Sequence, residues 1–398
     1  MGASCHQPKG IIRMRMAKFS RVSAALLAGA LVATACSSDP DETTTDPSSS
    51  DSETSTPVAD SEYDWSDVRR RQAVSMAIDR QLIVDVIFNG TQTAADDFWP
   101  ATFAGYRGGC ENMEFNPERA KQLWDEAGGD AGPLTMWFNS GAGHEDWVEA
   151  AANMLKENLG IADVQFQSLE FADYLDKMDN AEVNGPFRLG WGMDYPSPGN
   201  FLAVLHGTAG GYNRTGYANP AFDELAAKGD ALALADAIPF YQQASDILCE
   251  DMPFAPMRFG ALQGVWGEGV SDVAFDAFDR LELGALTDAN DDGEISMYIC
   301  EPQAQLAGPI NNDSCGNEVL NALFTGLVTL DSESGEVNNA VASSFESPDG
   351  GTTWNVALND GWTFHDGSPV TASSFVDAWN WGAYGPNGAK NSYYYGIP

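Results

Sequence analysis

The chain has 398 residues, of which 43% are apolar. Such a chain can bury a sizeable core and has room for about two or three domains. Its 58 acidic residues outnumber 20 basic ones and give a formal net charge of -38. A charge of this sign repels nucleic acids and anionic membrane surfaces, which argues against nucleic acid as a partner. The acids are scattered along the chain, which indicates a solvated surface rather than a metal store.

The N-terminus has the pattern of a secretory signal. Lys18 and Arg21 precede an uncharged, alanine-rich run at 22–35, which is too short to span a bilayer but suits the core of a signal peptide. The run ends in "ATAC", and the small residues before Cys36 resemble the lipobox of bacterial lipoproteins. We therefore predict a lipoprotein signal peptide at 1–36 with the lipid on Cys36. Plain secretion is the alternative.

The next segment, 37–61, consists almost entirely of Ser, Thr, Asp, Glu and Pro. A segment of this composition cannot bury enough apolar surface to fold, so we predict a disordered linker between the anchor and the folded part.

Four cysteines remain once Cys5 and Cys36 are set aside, and an even number fits two disulfides in an oxidising location. No pair has the C-x-x-C spacing of a redox or zinc site, so structural bridges are favoured and no metal is expected. Three pairings are possible. The one we favour joins the near pair and the far pair, namely Cys300 with Cys315 and Cys110 with Cys249.

Helical patterns begin soon after the linker. The spacing predicts one helix over 66–89 with Ser66 as its N-cap. A second helix is predicted to begin at Asn116 and Pro117 and to end at Gly128. The apolar stripe predicted for the first helix comprises Val74, Ala77, Ile78, Leu82 and Val86.

Strands alternate with these helices in the middle of the chain. The pattern at 144–159 predicts a third helix, closed by Gly160. The stretch "ADVQFQSL" after it alternates apolar and polar residues, as in a strand with one solvent-exposed face. A further helix opens at Asn219. Because strand and helix alternate, the sequence predicts an α/β fold.

The last part of the chain has a different pattern. Two short strands are predicted to form a hairpin around the turn at 359–361, and a second tight turn is predicted at 366–367. A helix follows, in which three residues share a face, namely Phe375, Ala378 and Trp379.

Six stretches carry a family resemblance. They are "VRRRQAVSMAIDRQLIV", "FNPERAKQLWDEAG", "FRLGWGMDYPSPGNFL", "NRTGYANPAFDEL", "ALFTGLVTLDSESGEV" and "TFHDGSPVTASSFVDAW". Together they resemble the signatures of the extracytoplasmic peptide-binding lipoproteins of bacterial ABC importers, the oligopeptide, dipeptide and nickel class called solute-binding protein family 5.

The two halves of this resemblance stand in swapped order, and the middle of the family pattern has no counterpart. The resemblance implies α/β lobes of the periplasmic-binding-protein (flytrap) type, which are incomplete here. The predicted divisions of the chain are a signal peptide at 1–36, a linker at 37–61, the C-terminal-half lobe at 62–287, an acidic junction at 288–294, and the N-terminal-half segment at 295–398.

The resemblance also implies a ligand site. Asp194 matches the family position that pairs with the α-ammonium of a peptide, and Tyr195 helps to hold this carboxylate on a stiff turn. The alternative is that Asp194 only caps the turn before Pro196. Trp191 is expected to wall a side-chain pocket or, alternatively, to pack in the core.

Backbone contacts with the peptide are expected from both halves of the chain. Gly190 and Gly192 let another backbone come close, because glycine has no Cβ. From the other half, Thr325 stands where many relatives of the family carry glutamate, and the main chain of Leu327 is expected along the ligand, with simple core packing as its alternative.

The resemblance implies a monomeric, non-enzymatic lipoprotein that needs no cofactor. It would be anchored by lipid to the outer face of the cell membrane and would pass peptides to the permease subunits of an ABC transporter. Two other classes stay open. A secreted glycan hydrolase could use paired carboxylates, although no pair stands out. A calcium-stabilised adhesion module could use "DANDDGEI" at 288–295, although Ile299 replaces the bidentate glutamate, which favours a solvated acidic linker.

Overall fold

The computed structural model describes residues 63–261, 263–276, 278, 280–299, 301–302, 306–311, 313–331 and 337–389, together with the backbone of a strand at 11–15. That strand lies within the predicted signal peptide. The rest of this peptide with Cys36, the whole of the predicted linker at 37–61, and Cys300 lie outside the described residues.

The helices in the described part are α1 (Val68–Met76), α2 (Arg80–Val86), α3 (Pro117–Glu126), α4 (Glu145–Leu159), α5 (Phe171–Asp179), α6 (Pro198–His206), α7 (Pro220–Asp230), α8 (Leu234–Asp251), α9 (Ser314–Leu323) and α10 (Ala372–Ala383). The strands are β1 (Ile11–Arg15), β2 (Thr93–Ala94), β3 (Leu134–Asn139), β4 (Val164–Leu169), β5 (Arg258–Phe259), β6 (Val270–Ser271), β7 (Thr287–Asp288), β8 (Glu294–Tyr298), β9 (Val328–Leu330), β10 (Val337–Asn339), β11 (Ala342–Glu346) and β12 (Asn355–Leu358).

Local capping fixes the ends of the helices that the sequence predicts best. The Asn116 side chain accepts a hydrogen bond from the backbone N–H of Arg119 at 3.0 Å, and Pro117 takes the first position of α3. Helix α4 ends at Gly160 in the left-handed conformation, with φ of 75°. The predicted helices at these places, and the one after Asn219, are confirmed.

The single helix predicted over 66–89 is wrong, because the chain breaks it into α1 and α2. Asp79 leaves the helical conformation and its carboxylate accepts from the N–H of Leu82, which starts a new helix. The first N-cap is Asp67 rather than Ser66. After the break the predicted stripe no longer faces the core, so Leu82 and Val86 are 48% and 66% exposed.

A parallel strand pair forms the centre of the α/β part. Strand β3 pairs with β4 in parallel from Leu134 opposite Val164 to Asn139 opposite Leu169. Every residue of β3 is buried, as expected for a strand covered on both faces. Segment 186–188 runs parallel along the other side of β3, since Trp137 donates to the carbonyl of residue 186 and the N–H of residue 188 donates back to Trp137. The predicted α/β class is confirmed.

In the described part of the chain, three clusters of buried apolar side chains lie between Tyr63 and Met257. The largest cluster packs α1, α3 and α4 against β3 and β4, with Trp124 and Leu155 fully buried. Within the described ranges, no helix is both long enough and apolar enough to cross a membrane.

The hairpin predicted around the turn at 359–361 is wrong. Strand β12 pairs antiparallel with β11, which precedes it. The turn between β11 and β12 is closed by Asp349, whose carboxylate accepts from the N–H of Thr353 at 2.7 Å. After β12, the turn at 366–367 supports only one bridge, between Thr363 and Pro369. The residues after the turn at 359–361 pair among themselves across this bridge, where the N–H groups of Phe364 and Val370 donate to the carbonyls of Ser368 and Trp362, and they do not pair with β12.

One predicted disulfide is present. Cys110 and Cys249 are bonded, with their Cα atoms 5.7 Å apart, and the bond joins the loop before residue 111 to the end of α8. Cys315 is also disulfide-bonded. Its predicted partner Cys300 lies outside the described residues, so the second pairing stays a prediction.

Three arginines of the "VRRRQAVSMAIDR" stretch donate hydrogen bonds to backbone carbonyls, several of which lie at helix ends. The Arg70 guanidinium donates to the carbonyls of Ala127 at 2.7 Å and Gly129 at 2.9 Å, just past the end of α3. Arg71 donates to the carbonyl of Asp251 at the end of α8. These carbonyls have no partner within their own helices, so each arginine supplies the hydrogen bonds that a helix C-terminus lacks.

Arg80 is the most deeply buried of the three, at 4% exposure. Its guanidinium donates to the carbonyls of Ser75, Met113 and Pro256 at 2.7 to 2.9 Å. It also donates to the Ser75 hydroxyl at 2.7 Å. Burial lowers the pKa of Arg80 to about 10, which still leaves the group charged at neutral pH.

We predict that Arg80→Met lowers the free energy of unfolding by about 3 kcal/mol, because buried carbonyl groups lose their donor. Urea unfolding followed by circular dichroism measures the effect. Arg119→Met, at an exposed position of α3, is the matched control and should change the value by less than about 0.5 kcal/mol. Equal unfolding midpoints for the two variants would contradict the role given to Arg80.

A buried histidine, His206, lies at the end of α6. His206 is 3% exposed and packs edge-on against Phe98 and Phe222, with ring centroids 5.7 and 6.4 Å away. Burial lowers the pKa of His206 from 6.5 to about 3. The neutral imidazole is therefore the form that the folded chain holds.

We predict that acid destabilises the fold through this group. Below about pH 6.5 the unfolded chain binds a proton at His206 while the folded chain does not, so stability falls by up to about 1.4 kcal/mol per pH unit until about pH 3. His206→Phe should reduce this slope, since phenylalanine fills the aromatic site without titrating. Urea unfolding at pH 6.5 and pH 5 tests the difference. An unchanged slope would show that His206 titrates normally in the folded chain.

Candidate functional site

The candidate site lies at the carboxyl end of the parallel strands. Strand β3 ends at Asn139, and segment 186–188 runs beside it in the same direction and continues into the loop at 190–194. His144, the N-cap of α4, follows β3. Crevices at the carboxyl ends of parallel strands are the usual ligand sites of open α/β sheets. The aromatic loop that carries Asp194 thus leaves the sheet at the edge where open α/β sheets usually bind ligands.

Arg188 is held at this edge by the strands themselves. Its guanidinium donates to the Asn139 side-chain oxygen at 3.0 Å, and Asn139 is only 3% exposed. The hydroxyl of Tyr174 on α5 donates to the Arg188 carbonyl at 2.7 Å and so fixes the backbone. The side chain therefore has a defined position before any ligand arrives.

The charge around Arg188 is positive. In the part of the chain that the structure describes, no carboxylate forms an ion pair with Arg188 or with Arg258. Burial lowers the pKa of Arg188 to about 10, so the group stays protonated at neutral pH. Burial and then the charges of Arg188 and Arg258 lower the pKa of His144 to about 3, and its Nε2 is buried without a hydrogen-bond partner in this structure. This region suits an anionic group.

A buried amide on α6 organises the Asp194 loop. The Oδ1 atom of Asn200 accepts from the Trp191 indole N–H at 2.9 Å and from the backbone N–H of Asp194 at 3.0 Å. The Nδ2 atom of Asn200 lies 3.4 Å from Oδ2 of Asp194, to which it donates. Trp191, Asp194 and α6 are therefore joined into one unit.

Aromatic rings line the same loop. The ring of Trp191, which is half-buried, lies 4.8 Å from that of Tyr212 at an interplanar angle of 58°. The Arg214 guanidinium lies 5.0 Å from the centroid of the Tyr212 ring and is ion-paired with Asp179. Burial raises the pKa of Tyr195 to about 12, with a smaller contribution from the nearby carboxylates. Trp191 thus packs on one neighbour while part of its surface stays accessible.

The two predicted glycines have different surroundings. A Cβ atom at Gly190 would lie 2.9 Å from a guanidinium nitrogen of Arg188, so glycine there makes room for the arginine. A Cβ at Gly192 would have no neighbour within 4 Å. Of the two, Gly192 has the open space that an approaching backbone needs.

The predicted residues of the other half lie on a separate segment. Thr325 is exposed, and the carbonyl of Leu327 accepts hydrogen bonds from the N–H groups of Ala340 and Ala342 at 3.0 and 2.9 Å. This carbonyl is thus already used within its own segment. The ligand contacts predicted for Thr325 and Leu327 stay predictions.

The acidic junction forms a closed loop between β7 and β8. The carboxylate of Asp288 accepts from the backbone N–H groups of Asn290 at 3.0 Å and Gly293 at 2.7 Å. Within the described ranges, no group of three or more His, Cys, Asp or Glu side chains is placed to hold a metal ion.

The sequence prediction missed most of the residues at this edge of the sheet. Arg188 stands six positions before Asp194 in the same quoted stretch, where a lone cation in an acid-rich chain was an available signal. His144, Asn139 and Arg258 come from separate parts of the chain, and no spacing connects them with Asp194. Asn200 falls within the stretch "WGMDYPSPGN", but its role depends on how α6 folds back on the loop.

Comparison with known proteins now adds to this geometry. A sequence model described as bacterial extracellular solute-binding proteins, family 5 middle, matches residues 21–213 and 336–397. These two segments make up more than half of the chain. The chain belongs to family 5 of the bacterial extracellular solute-binding proteins. The loop of Asp194, the Arg188 guanidinium and the His144 imidazole lie in the first matched segment.

Among curated relatives, the periplasmic murein peptide-binding protein MppA of Escherichia coli (strain K12) is 34% identical over 201 residues, which cover 48% of this chain and 37% of that protein. The oligopeptide-binding protein OppA of Bacillus subtilis (strain 168) is 28% identical over 230 residues, covering 52% and 41% respectively. A solved structure of the Escherichia coli murein tripeptide binding protein MppA has a TM-score of 0.45 and 29% identity, and covers 48% of this chain and 39% of that one.

The chain spans about two fifths of the length of the curated relatives it matches. This partial coverage fits the predicted incomplete lobes. The relatives are binding proteins rather than enzymes, which supports the prediction that the chain is not an enzyme. Membership of an extracellular family supports the predicted extracytoplasmic location.

Proposed function

We propose that this chain captures peptides outside the cytoplasm and passes them to the permease of an ABC transporter. The observation that carries the proposal is the placement of an acidic, aromatic-lined loop and a cluster of cations at one edge of a parallel sheet, in a member of a solute-binding family. A peptide with free ends carries one charge of each sign. The site offers a partner for each.

The ammonium end of the peptide is assigned to Asp194. The backbone of this residue is fixed by Asn200, and its carboxylate lies beside the ring of Tyr195 on a loop stiffened by Pro196 and Pro198. A charge-assisted hydrogen bond between carboxylate and ammonium contributes about 1.5–3 kcal/mol. The half-buried Trp191 would form one wall beside the first side chain of the peptide, and the open space at Gly192 would admit its backbone.

The carboxylate end of the peptide is assigned to Arg188. The guanidinium is partly buried, charged at neutral pH and oriented by Asn139, so little ordering remains to be done on binding. Arg258 adds positive charge to the same region. The strongly acidic chain elsewhere would repel the carboxylate, so these cations would select its position.

The remaining parts of the proposal concern location and partners. We place the chain on the outer face of the cell membrane, tethered through a lipid on Cys36 and the linker at 37–61, and we take it to act as a monomer beside its permease. The family's extracellular description supports the location outside the cytoplasm.

We predict that Asp194→Asn weakens the binding of trialanine by about 10- to 150-fold, because one charge-assisted hydrogen bond is lost. The same variant should bind N-acetyl-trialanine as the parent chain does, since that peptide has no ammonium group. Isothermal titration calorimetry at pH 7 measures both affinities.

The matched control is Glu157→Gln, which removes the same charge from an exposed position of α4. It should bind both peptides like the parent chain. If the parent chain binds the acetylated peptide as tightly as the free one, the role given to Asp194 fails.

We also predict that Arg188→Met removes the preference for a free carboxylate. The parent chain should bind trialanine about 10- to 150-fold more tightly than trialanine amide, and the variant should bind the two alike. Titration calorimetry with both peptides checks this, with Arg119→Met as the guanidinium control at an exposed position. Equal affinity of the parent chain for the two peptides would reject the assignment.

A further inference from the structure

Asn200 stands out because its side-chain amide is fully buried. Its exposure is 0%, and it lies in the first turn of α6. An unneeded buried amide is costly, because each donor and acceptor must find a partner away from water. The partners that Asn200 does have are all in the Asp194 loop.

Asn200 uses both ends of its amide on this loop. Oδ1 accepts from the Trp191 indole at 2.9 Å and from the Asp194 backbone at 3.0 Å, which occupies both of its lone pairs. Nδ2 donates to the Asp194 carboxylate at 3.4 Å. One side chain thus contacts the aromatic wall, the backbone and the carboxylate of the site.

The backbone of Asn200 is itself held in place. Ser197 caps α6 by accepting from the N–H of Gly199 at 3.2 Å. The carboxylate of Asp230 and the hydroxyl of Tyr241, which donates to it at 2.8 Å, pack so closely on Gly199 that a Cβ there would lie 2.6 and 2.8 Å from them. The start of α6 cannot shift without disturbing α7 and α8, so Asn200 is a rigid support for the loop.

We propose that Asn200 is a positioning residue that orients the Asp194 carboxylate and the Trp191 ring together toward the ammonium end of a ligand. No other residue type of this size offers two donors and an acceptor with two lone pairs. Aspartate would keep the acceptor but would place a second carboxylate against Asp194, and leucine would leave the indole N–H and the Asp194 N–H without their acceptor. The inference rests on the proposed peptide binding for its functional part, whereas its structural part is testable without a ligand.

The first test is a double-mutant cycle on selectivity. The measured quantity is the ratio of the dissociation constants of N-acetyl-trialanine and trialanine for the parent chain, Asn200→Ala, Asp194→Asn and the double variant. We expect Asn200→Ala to lower the ratio at least about tenfold, and the double variant to lower it no further than Asp194→Asn alone. Asn158→Ala, which removes a half-buried amide that donates to the carbonyl of Ala77 on the far side of α4, should leave the ratio unchanged.

A purely structural Asn200 would give a different result. It would weaken both peptides equally and leave the ratio as in the parent chain. That result would overturn the inference while leaving the proposed function intact. If Asp194→Asn itself leaves the ratio unchanged, the proposed function fails instead.

The second test needs no ligand and decides the inference even if no peptide binds. Nuclear magnetic resonance of the free chain reports hydrogen exchange at the Asp194 amide and the chemical shift of the Trp191 indole N–H. In Asn200→Ala we expect the Asp194 amide to exchange about tenfold faster and the indole resonance to move, because both groups lose their acceptor. In Asn158→Ala both should stay as in the parent chain. An unchanged Asp194 amide and indole in Asn200→Ala would overturn the positioning role.

Discussion

Backbone carbonyls, among them those at the ends of α3 and α8, accept hydrogen bonds from Arg70 and Arg71 of α1 and Arg80 of α2, and the helical frame depends on this interaction. A helix leaves its last carbonyls without partners, and burying them unpaired is costly. Arg70, Arg71 and Arg80 supply fixed forks of donors to several carbonyls at once. A sequence stretch that also marks the family therefore has a structural explanation, and its positive charges are not available for a ligand.

The candidate site uses cations differently. Arg188 has a side-chain partner in Asn139 but no described carboxylate to neutralise it, and Arg258 adds to the same positive region. Asp194, on the loop that follows, provides the opposite sign. The parallel arrangement of β3 and segment 186–188 brings these groups to one edge. Charge separation along a single sheet edge suits a ligand with opposite charges at its ends.

The helix ends that the sequence predicted correctly are those fixed by residues close together in the chain. Helix α3 begins where Asn116 and Pro117 stand, and α4 ends at Gly160, because capping involves only neighbours in the chain. The prediction of a hairpin around 359–361 was wrong, because β12 pairs with β11, which precedes it in the chain. The significance of Arg188 likewise depended on which groups surround it in space. The Cys110–Cys249 bond was predicted correctly from the cysteine count and from pairing the near and the far cysteines, although three pairings were possible.

That bond also determines how the site responds to damage. Cys110 and Cys249 are separated by 139 positions, and Asn139, Arg188, Asp194 and Asn200 all lie between them. The site is therefore built within a covalently closed ring of chain. A protease that cuts one exposed loop inside this ring opens it without releasing either fragment, so the two sides of the site stay attached in the oxidising surroundings where such bonds persist.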